Sequence, residues 1–295
     1  MLSRQTRPVD EIIVVDNASI DGTWEMIERR FTPGVTYERL AENLGGAAGF
    51  DKGMRLAHRN GHDWIWCLDS DALPNKSALE DLLRAARAVP GEVAAVTCLF
   101  RNPATGKLYS GAGSHQRLSR GENASLPVKE GRVGQVDLAA LICLLVRANA
   151  AERAGFLRRD LFIDLDDYFF SKELGALGKI IQVGGVVVDH CQRPTPLRER
   201  RGRRRLAAES FWRTYYATRN RLLYQKKYHG LWPMAARLAW RYCRALAGIL
   251  MFDDYKRYRA RLLTLSYLDG IRGRAGKRVD PQELQLWRRK QSAVL

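Results

Sequence analysis

Trp64-Ile-Trp-Cys-Leu-Asp-Ser-Asp-Ala-Leu-Pro74 decides how the rest of the chain is read. Five apolar or aromatic residues run straight into Asp69-Ser-Asp71, and Pro74 follows shortly after. An unbroken apolar run closed by polar residues and proline reads as a buried parallel strand ending in a loop. In open α/β sheets ligands sit outside the carboxyl ends of the strands. Two carboxylates one residue apart at such an end can converge on a hard cation such as Mg²⁺ or Mn²⁺, whose other ligands come from water and substrate phosphates. The same Asp-x-Asp is also what a solvated loop or a helix N-cap looks like, so its neighbours must decide.

Upstream, Glu11-Ile-Ile-Val-Val-Asp16 is a short β-branched run ending in an acid, and Asn17 to Thr23 is turn and N-cap chemistry. Trp24 to Phe31 has helical spacing with Trp24, Ile27 and Phe31 on one face, and Val35 to Leu40 reads as a second strand. Between that strand and a helix over residues 51–60 lies Asn43-Leu-Gly-Gly-Ala-Ala-Gly-Phe50. Gly45, Gly46 and Gly49 let a backbone approach a ligand, and a following helix N-terminus favours anions; a tight turn explains the glycines equally well. Ser77 to Val89 is an amphipathic helix. The order β-loop-α-β-loop-α-β-Asp-x-Asp is that of a mainly parallel α/β sheet.

Downstream, Val93 to Phe100 is another strand, and residues 101–135 are glycine-rich and polar, a loop or small hairpin. Val136 to Arg147 is strongly apolar, with Asp137 near its start. Phe162-Ile-Asp-Leu-Asp-Asp167 places acids beside aromatics ahead of a helix over 168–177. Ile180 to Val188 is a last strand, with Asp189-His190 at its end. A lone histidine is usually structural, but one that follows a strand, as Asp69 and Asp71 do, is a candidate for the same site.

Composition adds bounds. The 295 residues, 46 % hydrophobic and 27 % charged, suit one large domain or a domain with an appendage. Five scattered cysteines without metal-ligand spacing suggest reduced thiols in a cytosolic setting. No apolar leader and no run of 18 uncharged apolar residues is visible, so neither a signal peptide nor a spanning helix is expected. Residues 1–192 carry 23 Lys/Arg against 25 Asp/Glu, whereas residues 193–295 carry 26 against 7, a net of +19. A near-neutral body over 1–192 therefore joins a basic, helical appendage over 193–295.

The motifs together resemble the family 2 inverting glycosyltransferases, which use nucleotide-activated sugars. The resemblance covers roughly residues 3–192 through Ile12 to Thr23, Asn43 to Phe50, Asp69-Ser-Asp71, Phe162 to Asp167 and His190, in the family's order. Asn43 to Phe50 and Tyr215-Tyr-Ala-Thr-Arg-Asn220 look most like bacterial galactofuranosyl and rhamnosyl transferases that build cell-surface glycans. The resemblance implies the GT-A sheet, mainly parallel with helices on both faces, and a donor of UDP-galactofuranose or dTDP-rhamnose type. It implies that Asp16 hydrogen-bonds the nucleotide base, and that Asn43, Gly45 and Gly46 line the donor. Asp69 and Asp71, with His190 as third ligand, would hold Mn²⁺ or Mg²⁺ on the diphosphate. Asp167 would be the general base on the acceptor hydroxyl with Asp166 beside it, where many relatives have Glu; both also suit a helix N-terminus.

The family opens with a strand and a helix of which only the helix end matches Met1 to Pro8, so the first family strand is expected to be missing. That leaves an alternative: a catalytically inactive, membrane-associated scaffold or binding module of the same fold. In the basic third, Leu231 to Phe252 is apolar with Arg237, Arg241 and Arg244 at i, i+4, i+7. It reads as a helix lying in an anionic membrane interface, or else as a helix packed on the body. No nucleic-acid reader motif accompanies the charge, so nucleic acid is not an expected partner. The expected protein is peripheral at the inner face of the cell membrane and acts on a lipid-linked or glycan acceptor.

Overall fold

The computed structural model describes residues 1–31, 34–109, 129–191, 197–200 and 203–285. The chain divides into two compact units, Met1–Arg159 with Asp166–Gln192, and Asp160–Leu165 with Arg193–Leu295.

The first unit runs β1 (Ile13–Asp16), α1 (Thr23–Phe31), β2 (Thr36–Arg39), α2 (Gly46–Arg59), β3 (Trp64–Leu68), β4 (Ala72–Pro74) and α3 (Ala78–Ala88). It continues through β5 (Val93–Arg101), β6 (Leu108–Tyr109), β7 (Val133–Gln135), β8 (Cys143–Arg147), α4 (Ala148–Arg153), α5 (Asp166–Gly175) and β9 (Lys179–His190). β1 and β2 pair in parallel as a two-stranded sheet. The large sheet has the order β3-β8-β5-β9-β4, with β6 on β5 and β7 on β9. β5 and β9 are parallel, and β3 shares their direction because β8 is antiparallel to both β3 and β5.

The α/β class read from the sequence therefore holds, with β8 inserted in reverse among the long strands. β5 is buried along Val93 to Phe100 and lies in the middle of the sheet, as its unbroken apolar run requires. β3 differs from expectation. It is an end strand whose burial alternates, Ile65 and Cys67 inward, and its neighbour is antiparallel. One core cluster joins Met54 and Ala57 of α2 to Ile65, Leu144, Val146 and Phe170. The other sets Leu79 and Leu82 of α3 against Val96, Cys98, Leu145 and Val188. Phe31 is half-exposed, so only Ile27 of the expected α1 face is buried. Of the expected loop over 101–135, its ends form β6 and β7, and residues 110–128 lie outside the described residues.

The second unit holds β10 (Leu197–Arg200) and β11 (Arg203–Leu206), an antiparallel pair, then α6 (Phe211–Tyr228), α7 (Ala235–Phe252) and α8 (Lys256–Arg272). Its core gathers Phe211, Tyr215 and Tyr216 of α6 with Ile249, Tyr258 and Leu262, and takes in Phe162. α6 and α8 approach closely at Gly270, where a Cβ would stand 2.6 Å from Leu222 Cβ. Among the described residues no helix is long and apolar enough to cross a membrane.

Candidate active site

Strand register brings the expected metal ligands together. After β3 the chain turns through Asp69-Ser-Asp71, with the Asp69 N–H donating to Ile142 O at 3.2 Å and the Ala72 N–H donating back to Asp69 O at 3.1 Å. β4 pairs antiparallel with the end of β9, setting Ala72 opposite His190, and the Cys191 N–H donates to Asp71 O at 3.1 Å. His190 Nε2 consequently lies 3.2 Å from Asp71 Oδ1. One ligand atom each from Asp69, Asp71 and His190 falls within 4.8 Å of the others.

The donor set fits a hard divalent cation: two carboxylates and an imidazole converging from adjacent strand ends. Burial pushes the Asp69 carboxyl above its ordinary value, the Asp71 carboxylate adds to this, and His190 opposes it. A cation shared by the two acids would remove that penalty. His190 is buried with its ring edge-on to Phe100, whereas Asp71 remains half-open to solvent.

The expected donor-binding residues form two further groups. Asp16 ends β1, buried; its Oδ1 accepts from the Ser19 N–H at 2.8 Å and its Oδ2 from the Tyr37 hydroxyl, with Arg39 Nε 3.7 Å away. Burial pushes Asp16 up, but these hydrogen bonds and the guanidinium hold it below the usual carboxylate range. Tyr37 is correspondingly pushed up to about 12, by burial first and then by its bond to Asp16. A carboxylate has about four lone-pair sites, so Asp16 keeps acceptor capacity for a base N–H.

Asn17 Oδ1 accepts from the Leu44 N–H at 2.9 Å, and Asn43 Oδ1 from the Gly45 N–H at 3.0 Å. Gly45 caps α2 with φ of 87°, a conformation that favours glycine. Helix α2 starts at Gly46 rather than at the expected residue 51, so Gly46 and Gly49 lie in its first turns, where a Cβ on either would meet nothing within 4 Å. That places N–H groups of a helix N-terminus beside Asn43, with open space on the outer side.

Asp166 and Asp167 occupy the first turn of α5, where the helix dipole favours negative charge. The Ser171 hydroxyl anchors this helix, donating to Ala139 O at 3.3 Å and accepting from the Ala139 N–H at 3.1 Å.

Sequence reading missed Tyr37, Asn17 and Arg101. Arg101 makes a two-pronged contact with Asp189, at 2.6 Å and 2.9 Å, one residue from His190. Its partner is 88 residues distant and is set only by the β5–β9 register. Tyr37 was findable: on a four-residue strand it is the aromatic position between polar ones, and its ring lies tilted against Trp24 with centroids 4.5 Å apart.

Comparison with known proteins agrees with this geometry. Residues 2–135 match the family described as Glycosyl transferase family 2. The chain is 38 % identical over 101 residues to the galactofuranosyltransferase GlfT1 of Mycolicibacterium smegmatis, which is 34 % of this chain and 33 % of that protein. It is 37 % identical over 109 residues to GlfT1 of Mycobacterium tuberculosis, 35 % of each. The match thus spans about a third of the length of these relatives. The mannosyltransferase PcManGT of Pyrobaculum calidifontis, solved with GDP-Man and Mn²⁺, superposes with a TM-score of 0.50 over 99 % of this chain and 74 % of that one, at 17 % identity. That likeness is one of fold.

Proposed function

We propose, from the match of residues 2–135 to the Glycosyl transferase family 2 model, that this chain transfers a sugar from a nucleoside-diphosphate donor to an acceptor hydroxyl with inversion. The convergence of Asp69, Asp71 and His190 on one point carries the reading. These three residues would hold Mn²⁺ or Mg²⁺, which would supply Lewis-acid stabilisation to the departing diphosphate. Asp16 would accept from the base, and Asn43, Gly45 and Gly46 would line the donor. Asp167, with Asp166 beside it, would take the proton of the acceptor hydroxyl as its oxygen attacks the anomeric carbon from the face opposite the leaving group. The partial likeness to galactofuranosyltransferases supports a UDP-galactofuranose donor, with dTDP-rhamnose the second candidate. A lipid-linked or surface glycan is the proposed acceptor, which would set the protein peripherally on the inner face of the cell membrane.

The test is transfer from a panel of UDP- and dTDP-sugars, with Mn²⁺ binding followed separately by electron paramagnetic resonance. Asp71→Ala is expected to lose Mn²⁺ binding and transfer together while keeping its melting temperature. Asp167→Asn is expected to keep Mn²⁺ and donor binding but drop the rate by on the order of a hundredfold or more. Full activity in either variant refutes that residue's role. Donor binding without turnover in the unaltered protein would favour the inactive binding module.

A further inference from the structure

α7 leaves one of its sides uncovered. At about 100° per residue, Ala236, Trp240, Cys243, Ala247, Leu250 and Met251 fall within a sector of roughly 100°, and all six are exposed. Trp240 is 67 % exposed, Leu250 51 % and Met251 50 %, and Trp232, just before the helix, is 90 % exposed. The opposite side is where α7 meets its own unit. Leu238 and Ile249 are buried there, Leu246 joins the core, and the Tyr242 hydroxyl shares a 3.0 Å hydrogen bond with Thr264 of α8.

Arg244, Arg237 and Arg241 line one flank of the open side, about 70–130° from its centre, and α7 contains no acidic residue. The arginine row is therefore the border of the open side, and the apolar stripe beside it is the surface.

We infer that this stripe beds into the headgroup region of an anionic bilayer, with α7 lying in the membrane plane. Three observations single out that occupant. Trp240 lies within the stripe and Trp232 just before the helix, and tryptophan rings favour the interface between water and acyl chains. The flanking arginines match anionic headgroups and can keep their charges in water while their stems lie along the lipid. The helix cannot span, so an apolar side with a cationic border is left lying flat. A second copy of the chain fits less well. A two-fold pairing of α7 would bring together rows of arginines with no acid on either helix to neutralise them. The inference deepens the proposed peripheral location and rests on it for the lipid, so its test involves neither donor nor acceptor.

The full chain is mixed with vesicles of phosphatidylcholine, with or without phosphatidylglycerol, and binding is read by sedimentation and by quenching of tryptophan fluorescence with brominated lipid. Binding to the anionic vesicles, with quenching, is expected. Trp240→Ser with Leu250→Ser should weaken it by about a hundredfold, and Arg237→Gln with Arg244→Gln by roughly thirtyfold, with a flatter salt dependence. All four side chains are exposed, so the melting temperature should not move. The inference is overturned if the unaltered protein ignores anionic vesicles, or if both double variants bind as it does. It is equally overturned if the apolar double variant instead abolishes a concentration-dependent dimer seen by light scattering. Normal vesicle binding with no sugar transfer counts against the proposed function alone.

Discussion

Asn220→Ala tests how the second unit holds its strap, Asp160–Leu165, in a bent form. Phe162, Asp164 and Leu165 have φ of 69°, 66° and 64°. A left-handed residue other than glycine costs about 1–2 kcal/mol, so the strap works against roughly 3–6 kcal/mol. Asn220 is wholly buried, and its Nδ2 donates to the carbonyls of Leu161 at 3.1 Å, Ile163 at 2.8 Å and Asp164 at 2.7 Å. Its Oδ1 accepts from Arg219 Nε at 2.9 Å, and Arg219 itself donates to Leu161 O at 2.8 Å and Gly276 O at 2.6 Å. An amide NH₂ has two hydrogens, so the truncation removes the equivalent of two bonds. Each buried acceptor left unmet costs about 1–3 kcal/mol, giving a loss of roughly 2–6 kcal/mol, comparable with the strain being opposed. The assay is hydrogen exchange of peptides covering 159–167 in the full chain, with urea unfolding as a second reading. Protection should fall by about thirtyfold or more, and the transition should move to lower urea. Asn220→Asp keeps the volume but turns a carboxylate toward three carbonyls, so it should be at least as damaging. If both variants stay within about 0.5 kcal/mol of the unaltered protein, Asn220 does not hold the strap and the reasoning fails.

Asp164→Asn is expected to stabilise. Burial pushes the Asp164 carboxyl up, with Arg213 opposing. An acid whose folded pKa lies above its unfolded one weakens the fold once ionised, so the variant's melting temperature should exceed the original's at neutral pH, and the gap should close toward pH of about 4; a constant gap would show that ionisation is not the cause. Tyr37→Phe has the opposite sign: Asp16 lies below its unfolded pKa, so the stability it contributes is present above that value and is lost as pH falls through the folded one. Removing the hydroxyl should cost about 1.5–3 kcal/mol near neutral pH and little in acid, read from thermal melts at both.

Much of the first unit was legible because its signals are local. β-branched runs, turn clusters and acids at strand ends located β1, β5, β9 and the turn through Asp69-Ser-Asp71 from adjacent residues alone. What was not legible depends on neighbours distant in the chain. The apolar run over 136–147 does not say that β8 inserts in reverse between β3 and β5, because a run buried on both sides has no preferred partner. Helix α2 starts five residues earlier than expected because Asn17 and Asn43 fix the approach to Gly45, and helical glycines then lie inside the first turns. Which side of α7 stays open was not legible for the same reason. Arginine spacing was visible in the sequence, but α8 decides which side of α7 is covered.

The site shows what such long-range register accomplishes. Along β5 and β9 the pairing runs Cys98 with Val183 and then Leu99 with Val187, so Gly184 to Val186 are passed over in a bulge. Three is an odd number, and in a strand an odd slip exchanges the two sides of every later residue. With the bulge, Asp189 comes opposite both Arg101 and Leu73, and His190 comes opposite Ala72, next to Asp71. Without it, His190 would overrun β4 by three positions with its ring on the other side of the sheet. At Gly184, among the residues passed over, β9 crowds against the backbone of the segment leading into β7. A Cβ there would stand 2.2 Å from Lys129 O, and its N–H donates to Arg132 O at 2.6 Å. The convergence of Asp69, Asp71 and His190 thus follows the β5–β9 register, and the bulge that sets it includes Gly184, a residue no motif in the chain includes.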